Sequence, residues 1–301
     1  MRSLATLRRR HIAVSALCAA FLLAGCAGAA STEPSKPTAS LQSVELAVHQ
    51  ADESLAKGDF ATAAKAYRRA LVIAPNHPAA QLGLAEIELV NGDPHRALDL
   101  FKAVSEDAQI KPAGLQGQGL SLLKIGRFEQ AEGPLKDAVG LDASLWRAWN
   151  GLGSVRDARR DWELADEAYQ NAHSANADSA VVLNNWGVSL LMRHDYVAAE
   201  SKFTEALARD SGLKTAAANR RIAQAWQGRY TEALADSVPE QMPQWLNDVG
   251  YIAMLRGDYP NAEAFFVRAM AASPSFYAVA HKNLEQLERM KAGEAVVTTQ
   301  E

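Results

Sequence analysis

The feature that most limits what this chain can fold into is a period of 34 residues. Turn positions fall at Gly58, Gly92, Gly126, Arg160, His194 and Gly228, each 34 residues after the last, and Gly257 follows 29 residues later. Five residues beyond each turn stands an alanine: Ala63, Ala97, Ala131, Ala165, Ala199, Ala233 and Ala262. Two beyond it come Phe60, Pro94, Phe128, Trp162, Tyr196, Tyr230 and Tyr259. Nine beyond it stand Tyr67, Phe101, Leu135, Tyr169, Phe203 and Phe266. A unit of this length is two helices around a short turn, and one unit cannot bury its apolar face alone, so neighbours must stack. The alanine fits where the two helices cross most closely, and the large residue nine beyond the turn fills the layer between them. Gly119, Gly153, Gly187 and Gly250 give the first helix the same closeness, at a cost of up to about 1 kcal/mol each in helix propensity.

This period and pattern resemble the tetratricopeptide repeat over roughly residues 44 to 275. The resemblance implies an all-α fold, a right-handed superhelical solenoid of about seven helix pairs with a concave groove lined by first helices. Residues Tyr277 to Lys291 carry Ala280, Leu284 and Leu287 on one face and read as a C-terminal capping helix. The solenoid is expected over residues 44–292, with a disordered tail at 293–301.

The N-terminus reads differently. Arg2, Arg8, Arg9 and Arg10 precede an apolar segment from Ile12 to Leu23, the layout of a secretory signal and too short for the roughly 20 residues of a membrane span. Leu23-Ala24-Gly25-Cys26 resembles the lipobox of bacterial lipoproteins, which implies a signal peptide over residues 1–25 and lipidation of Cys26. Cys18 is the other cysteine, inside the same leader, so nothing downstream can pair with Cys26. Ala27 follows directly, without the acidic residue that marks inner-membrane retention in that family, and the resemblance implies an outer-membrane, periplasm-facing anchor. Residues 26–43 are rich in Ala, Ser, Thr and Pro and read as a flexible tether of roughly 23 Å.

Charge and motifs narrow the function classes. Without the four leader arginines the chain carries a net charge of about −8, unsuited to general nucleic-acid binding, which runs on basic patches. There is no glycine-rich phosphate loop, no HExxH zinc pair and no GxSxG elbow; Gly117-Gln118-Gly119 lies in the first helix of the third repeat and lacks a third glycine. His49, His77, His95, His173, His194 and His281 are scattered over different units, and Trp149 and Trp186 fall on the packing face of first helices, where they are expected in the core. No enzyme activity, cofactor or metal site is expected.

Binding is therefore expected on the first helices. Asn185 and Asn219 each stand nine residues before a turn, equivalent places in adjacent repeats. An amide there can donate to a carbonyl and accept from an N–H, which suits capture of a peptide backbone. Asn184, Asn247, Tyr251 and Met254 extend the same surface by their spacing, while Asp248 takes the asparagine's place in the seventh repeat. The sixth unit departs most: Arg220 and Arg221 replace the expected Leu and Gly, Ser237 and Glu240 replace the large residue and the alanine, and the unit is five residues short. Its arginines either stand in water at an irregular joint or form a basic notch for an acidic partner.

Leu183-Asn184-Asn185-Trp186-Gly187-Val188, Asn219-Arg220-Arg221-Ile222-Ala223 with Gly228-Arg229-Tyr230, and Leu246-Asn247-Asp248-Val249-Gly250-Tyr251 with Gly257-Asp258-Tyr259 are similar to the TadD-like tetratricopeptide lipoproteins of the tight-adherence, or Flp pilus, system. That resemblance implies a protein-binding scaffold that supports assembly of the outer-membrane secretin and pilus, with secretin or pilus assembly components as partners and the membrane reached through the lipid anchor. Type IV pilus pilotins of the PilF or PilW kind share the anchor and the repeats, and an adaptor for periplasmic peptidoglycan enzymes is the reading of another class.

Overall fold

The computed structural model describes residues 37–235, 238–275 and 277–293. The leader, Cys26, Ser237 and the tail beyond Gly293 lie outside them. Among the described residues there are fifteen α-helices and no strand. In chain order these are α1 (Pro37–Ala56), α2 (Phe60–Ile73), α3 (Pro78–Asn91), α4 (Pro94–Val104), α5 (Lys111–Lys124), α6 (Phe128–Leu141), α7 (Trp146–Arg159) and α8 (Trp162–Ala175). They continue with α9 (Ala180–Met192), α10 (Tyr196–Arg209), α11 (Lys214–Trp226), α12 (Tyr230–Leu234), α13 (Met242–Leu255), α14 (Tyr259–Ala272) and α15 (Ala278–Lys291). Odd-numbered helices from α1 to α13 are the first helices of seven repeats, and α15 is the cap. The chain divides into two compact units, residues 1–151 and 152–301, the boundary falling inside α7. None of the helices described is long and apolar enough to cross a membrane.

The first helix begins at Pro37, so residues 37–43, expected in the tether, are helical. Proline suits a helix start, because its fixed φ matches the helix and its missing N–H would be unpaired there in any case. Each repeat turn is made by one residue in the left-handed region. Glycine holds it at 58, 92, 126, 228 and 257, and Arg160 (φ 62°) and His194 (φ 65°) hold it elsewhere. The aspartate that follows caps the second helix in three repeats: Asp59, Asp93 and Asp195 accept from the N–H of Thr62, Arg96 and Ala198.

All seven periodic alanines have no exposed surface. The large residues nine beyond the turn are equally buried and lie where a first helix has no side chain. In the first unit, a β-carbon built on Gly83 would stand 2.2 Å from the Tyr67 ring, one on Gly117 2.2 Å from Phe101, and one on Gly119 2.3 Å from Leu135. In the second, the same holds for Gly153 against Tyr169 (2.6 Å), Gly187 against Phe203 (2.5 Å) and Gly250 against Phe266 (2.9 Å). Glycine is required at these places because the ring occupies the volume a side chain would need. Ala280 and Leu287 of α15 complete the core formed by α13 and α14.

The sixth repeat breaks this scheme. Its second helix, α12, stops after five residues at Leu234, where the other second helices run for 11 to 14. A single 3₁₀ turn, Pro239–Gln241, then leads directly into α13.

A candidate protein-binding face on the first helices

The residues expected to bind lie in the second unit, on α9, α11 and α13. Asn219 Nδ2 donates to Asn184 Oδ1 (3.1 Å), and Asn184 Nδ2 in turn donates to Asn185 Oδ1 (3.3 Å). The three amides thus form one half-exposed chain from α11 to α9. The motif recurs at the end of the array, where Asn283 Nδ2 of α15 donates to Asn247 Oδ1 (2.9 Å) and Asn247 Nδ2 to Asp248 Oδ1 (3.4 Å). Asn247 is only 6% exposed and Met254 1%, so these two belong to helix contacts rather than to an open surface. Tyr251, one turn before Met254 on α13, is exposed.

Arg220 and Arg221 are both half-buried. The expectation that leaves them in water fails for Arg221, whose guanidinium carbon lies 3.5 Å from the Trp245 ring centroid. The physical reason is a paired change. Position 221 is the one held by Gly187 a repeat earlier, where the Phe203 ring forbids a side chain. In the sixth repeat the residue nine beyond the turn is Ser237 in the sequence, and the Arg221 side chain reaches across to Trp245 of α13. Trp245 was not among the residues picked out from the sequence. Its signal was the shortened spacing of 29 residues, which marks a truncated second helix between α11 and α13.

Between α11 and α13 lies a cleft of about 650 Å³. Ala218, Ile222, Ala225, Val249 and Ile252 line it with aliphatic surface, and Lys214, Arg221, Gln241, Gln244 and Asp248 add polar groups. Desolvation holds the Asp248 carboxyl above the usual carboxylate range, against the opposing effects of the Asn247 amide and the Arg221 charge.

Other polar groups tie helices together. Asp157 is buried between α7, α8 and α9, accepting from Tyr169 Oη (2.7 Å) and Ser189 Oγ (2.6 Å). Burial pushes its pKa up, and the two hydroxyls oppose the rise. Trp186, expected in the core, is half-buried: its N–H donates to Asp166 Oδ1 (2.7 Å), its ring stacks on Tyr169, and Lys202 Nζ sits 4.5 Å above it. Trp149 is likewise half-buried and donates to the Ala143 carbonyl (3.0 Å). His77 caps α3, and His194 Nδ1 lies 2.7 Å from Tyr196 Oη beside its left-handed turn. No group of three His, Cys, Asp or Glu among the described residues is placed to hold a metal ion.

Comparison with known proteins gives the same architecture. The tetratricopeptide repeat family matches residues 54–118 and again 117–180. The type IV pilus assembly protein PilF of Pseudomonas aeruginosa is 36% identical over 88 residues, which are 29% of this chain and 35% of that protein's length. A solved structure of PilF from the same organism superposes with a TM-score of 0.50 at 15% identity, covering 84% of this chain and all of that one. A tetratricopeptide repeat protein from Parabacteroides merdae gives a TM-score of 0.51 at 16% identity, over 82% of this chain and 99% of its own. At such identities the two superpositions establish the fold. Repeat proteins of this kind are generally non-enzymatic scaffolds that bind protein partners. The chain thus carries tetratricopeptide repeats over residues 54–180, has the fold of tetratricopeptide repeat proteins, and is similar over part of its length to a protein of pilus assembly.

Proposed function

We propose that this chain is a lipid-anchored scaffold at the periplasmic side of the outer membrane, holding segments of partner proteins during assembly of a secretin channel and a pilus of the tight-adherence type. The observation that carries the reading is the half-exposed face of α9, α11 and α13, where Asn185, Asn219, Arg221 and Tyr251 present hydrogen-bonding and aromatic groups while the second helices carry the core. Backbone capture by amides and anchoring by an arginine on a tryptophan are ordinary means of holding an extended segment. The similarity to PilF supports pilus assembly as the setting and favours a second reading, service to a type IV pilus. The lipobox at Cys26 supports the anchor.

Cells lacking the gene should assemble fewer secretin rings and fewer surface pili, and Cys26→Ser should release the protein from the outer-membrane fraction and abolish palmitate labelling. Normal rings and pili in the deletion strain, with altered cell shape and lost recruitment of peptidoglycan hydrolases, would replace the pilus reading with the cell-wall one.

A further inference from the structure

In the other repeats, a second helix of 11 to 14 residues follows each first helix and packs behind it. In the sixth, α12 ends at Leu234, the chain returns through Val238 and the 3₁₀ turn, and the space between α11 and α13 stays open as the cleft described above. Its chemistry is two-sided. The aliphatic surface of Ile222, Ala225, Val249 and Ile252 suits one large apolar side chain. Its polar groups carry two cations, Lys214 and Arg221, against the single carboxylate of Asp248. Lys214 is exposed, and the Arg221 guanidinium carbon lies 3.5 Å from the Trp245 ring centroid; the planar guanidinium is a group whose shape matches a carboxylate. An excess of positive charge around an apolar site, in a chain that is otherwise acidic, is a charge match for an acidic occupant.

We infer that the α11–α13 cleft docks a short segment of a partner protein in which a large apolar residue adjoins Asp or Glu, the apolar side chain entering the cleft and the carboxylate meeting Arg221 and Lys214. This deepens the scaffold reading above and takes only its biological setting from it. The site coincides with the sequence departure at 221, where an arginine stands in place of the glycine of the preceding repeat.

The test uses the full-length protein in mild detergent and fluorescence anisotropy with three short labelled peptides: one alternating Leu or Phe with Glu or Asp, one with Lys in place of the acids, and one keeping the acids but with Ser in place of the apolar residues. The first should bind at least about tenfold more tightly than either of the others. The double variant Lys214→Glu with Arg221→Glu should reverse the preference, so that the lysine peptide gains affinity, a gain that a misfolded protein cannot show. Equal binding of the three peptides, or a double variant that favours none of them, overturns the inference. Trimming the chain after Gly293 should leave acidic-peptide affinity unchanged; a tenfold rise would assign the cleft to the chain's own tail and overturn it. Concentration-dependent self-association that the acidic peptide competes away would assign it to a second copy, with the same result. The two readings fail separately: a cleft that selects the acidic peptide, in a strain whose pili do not depend on the gene, sinks the pilus function and leaves the docking site standing.

Discussion

The fifth and sixth repeats share the spacing of their turns and of the alanine that follows, and differ on both sides of the turn. In the fifth, Phe203 is fully buried against Gly187 and the second helix runs its full length to Arg209. In the sixth, the ring is gone, the glycine has become Arg221, and α12 is five residues long. The fifth repeat spends its residues on packing and offers the half-exposed amides of Asn184 and Asn185 on its first helix. The sixth gives up packing and gains a cleft. Stability and binding surface are thus drawn from the same layer of the structure, and the array concentrates the exchange in one unit.

The largest expected effect sharpens this contrast directly. Phe203→Ala should cost about 3–5 kcal/mol, because it empties a fully buried ring site that the fifth repeat cannot collapse around. Gly187→Val should cost about 1–3 kcal/mol by forcing a side chain against that ring. Arg221→Val, at the equivalent place in the sixth repeat, should cost less than about 1 kcal/mol, the scale of a half-exposed cation–π contact. Denaturant midpoints and hydrogen exchange of the α9 and α10 amides measure all three. Equal losses at 187 and 221 would break the comparison.

A smaller effect concerns the turns. His194 holds a left-handed turn with a side chain, whereas Gly228 holds the next without one. His194→Gly should stabilise by about 1 kcal/mol, less whatever the Tyr196 contact contributes, and Gly228→His should destabilise by a similar amount. Thermal melts of the two variants should move in opposite directions. A shared direction would show that the turns are not set by backbone conformation.

The smallest effect is in pH dependence. Burial raises the Asp157 pKa, so the folded protein holds that proton more tightly than the unfolded chain, and its contribution to stability falls as pH rises from about 4 through the raised value. Asp258, beyond the sixth repeat, behaves oppositely. The Asn261 amide, above all, and the Tyr230 hydroxyl lower its pKa, so its contribution is present above about pH 4 and is lost as pH falls through the lowered value. Asp157→Asn should remove a downward slope and Asp258→Asn an upward one in denaturant midpoints taken from about pH 3 to about pH 7. Slopes of the same sign would overturn the assignment.

The period made the helix pairs, the turn positions, the periodic alanines and the cap legible before any coordinates, because each recurs at one spacing. Other features were not legible, because they depend on a second helix arriving at the right rotation. Nothing local distinguishes Asn184 and Asn219, which bond each other, from amides waiting for a ligand. Asn247 and Met254 looked like surface by their numbering, yet α14 and α15 close over that side of α13. The departures at 220, 221 and 237 marked the sixth unit as irregular, but the spacing alone did not name Trp245 as the partner of Arg221.

The way α11 and α13 are joined has a mechanical consequence. At the turn end Arg256, just past α13, donates to the Trp226 carbonyl of α11, and beside it Tyr230 Oη of α12 donates to Asp258 Oδ2 ahead of α14 at 3.0 Å. Toward the start of the helices Arg221 stacks on Trp245, beside the cleft. A helix of 14 residues is a lever of about 21 Å, so a swing of roughly 10° about the clamped end would carry its far tip through about 3–4 Å, the thickness of one aromatic ring. Tension along the array would therefore load this joint as a jaw, pivoting at the turns and opening at Lys214 and Gln241.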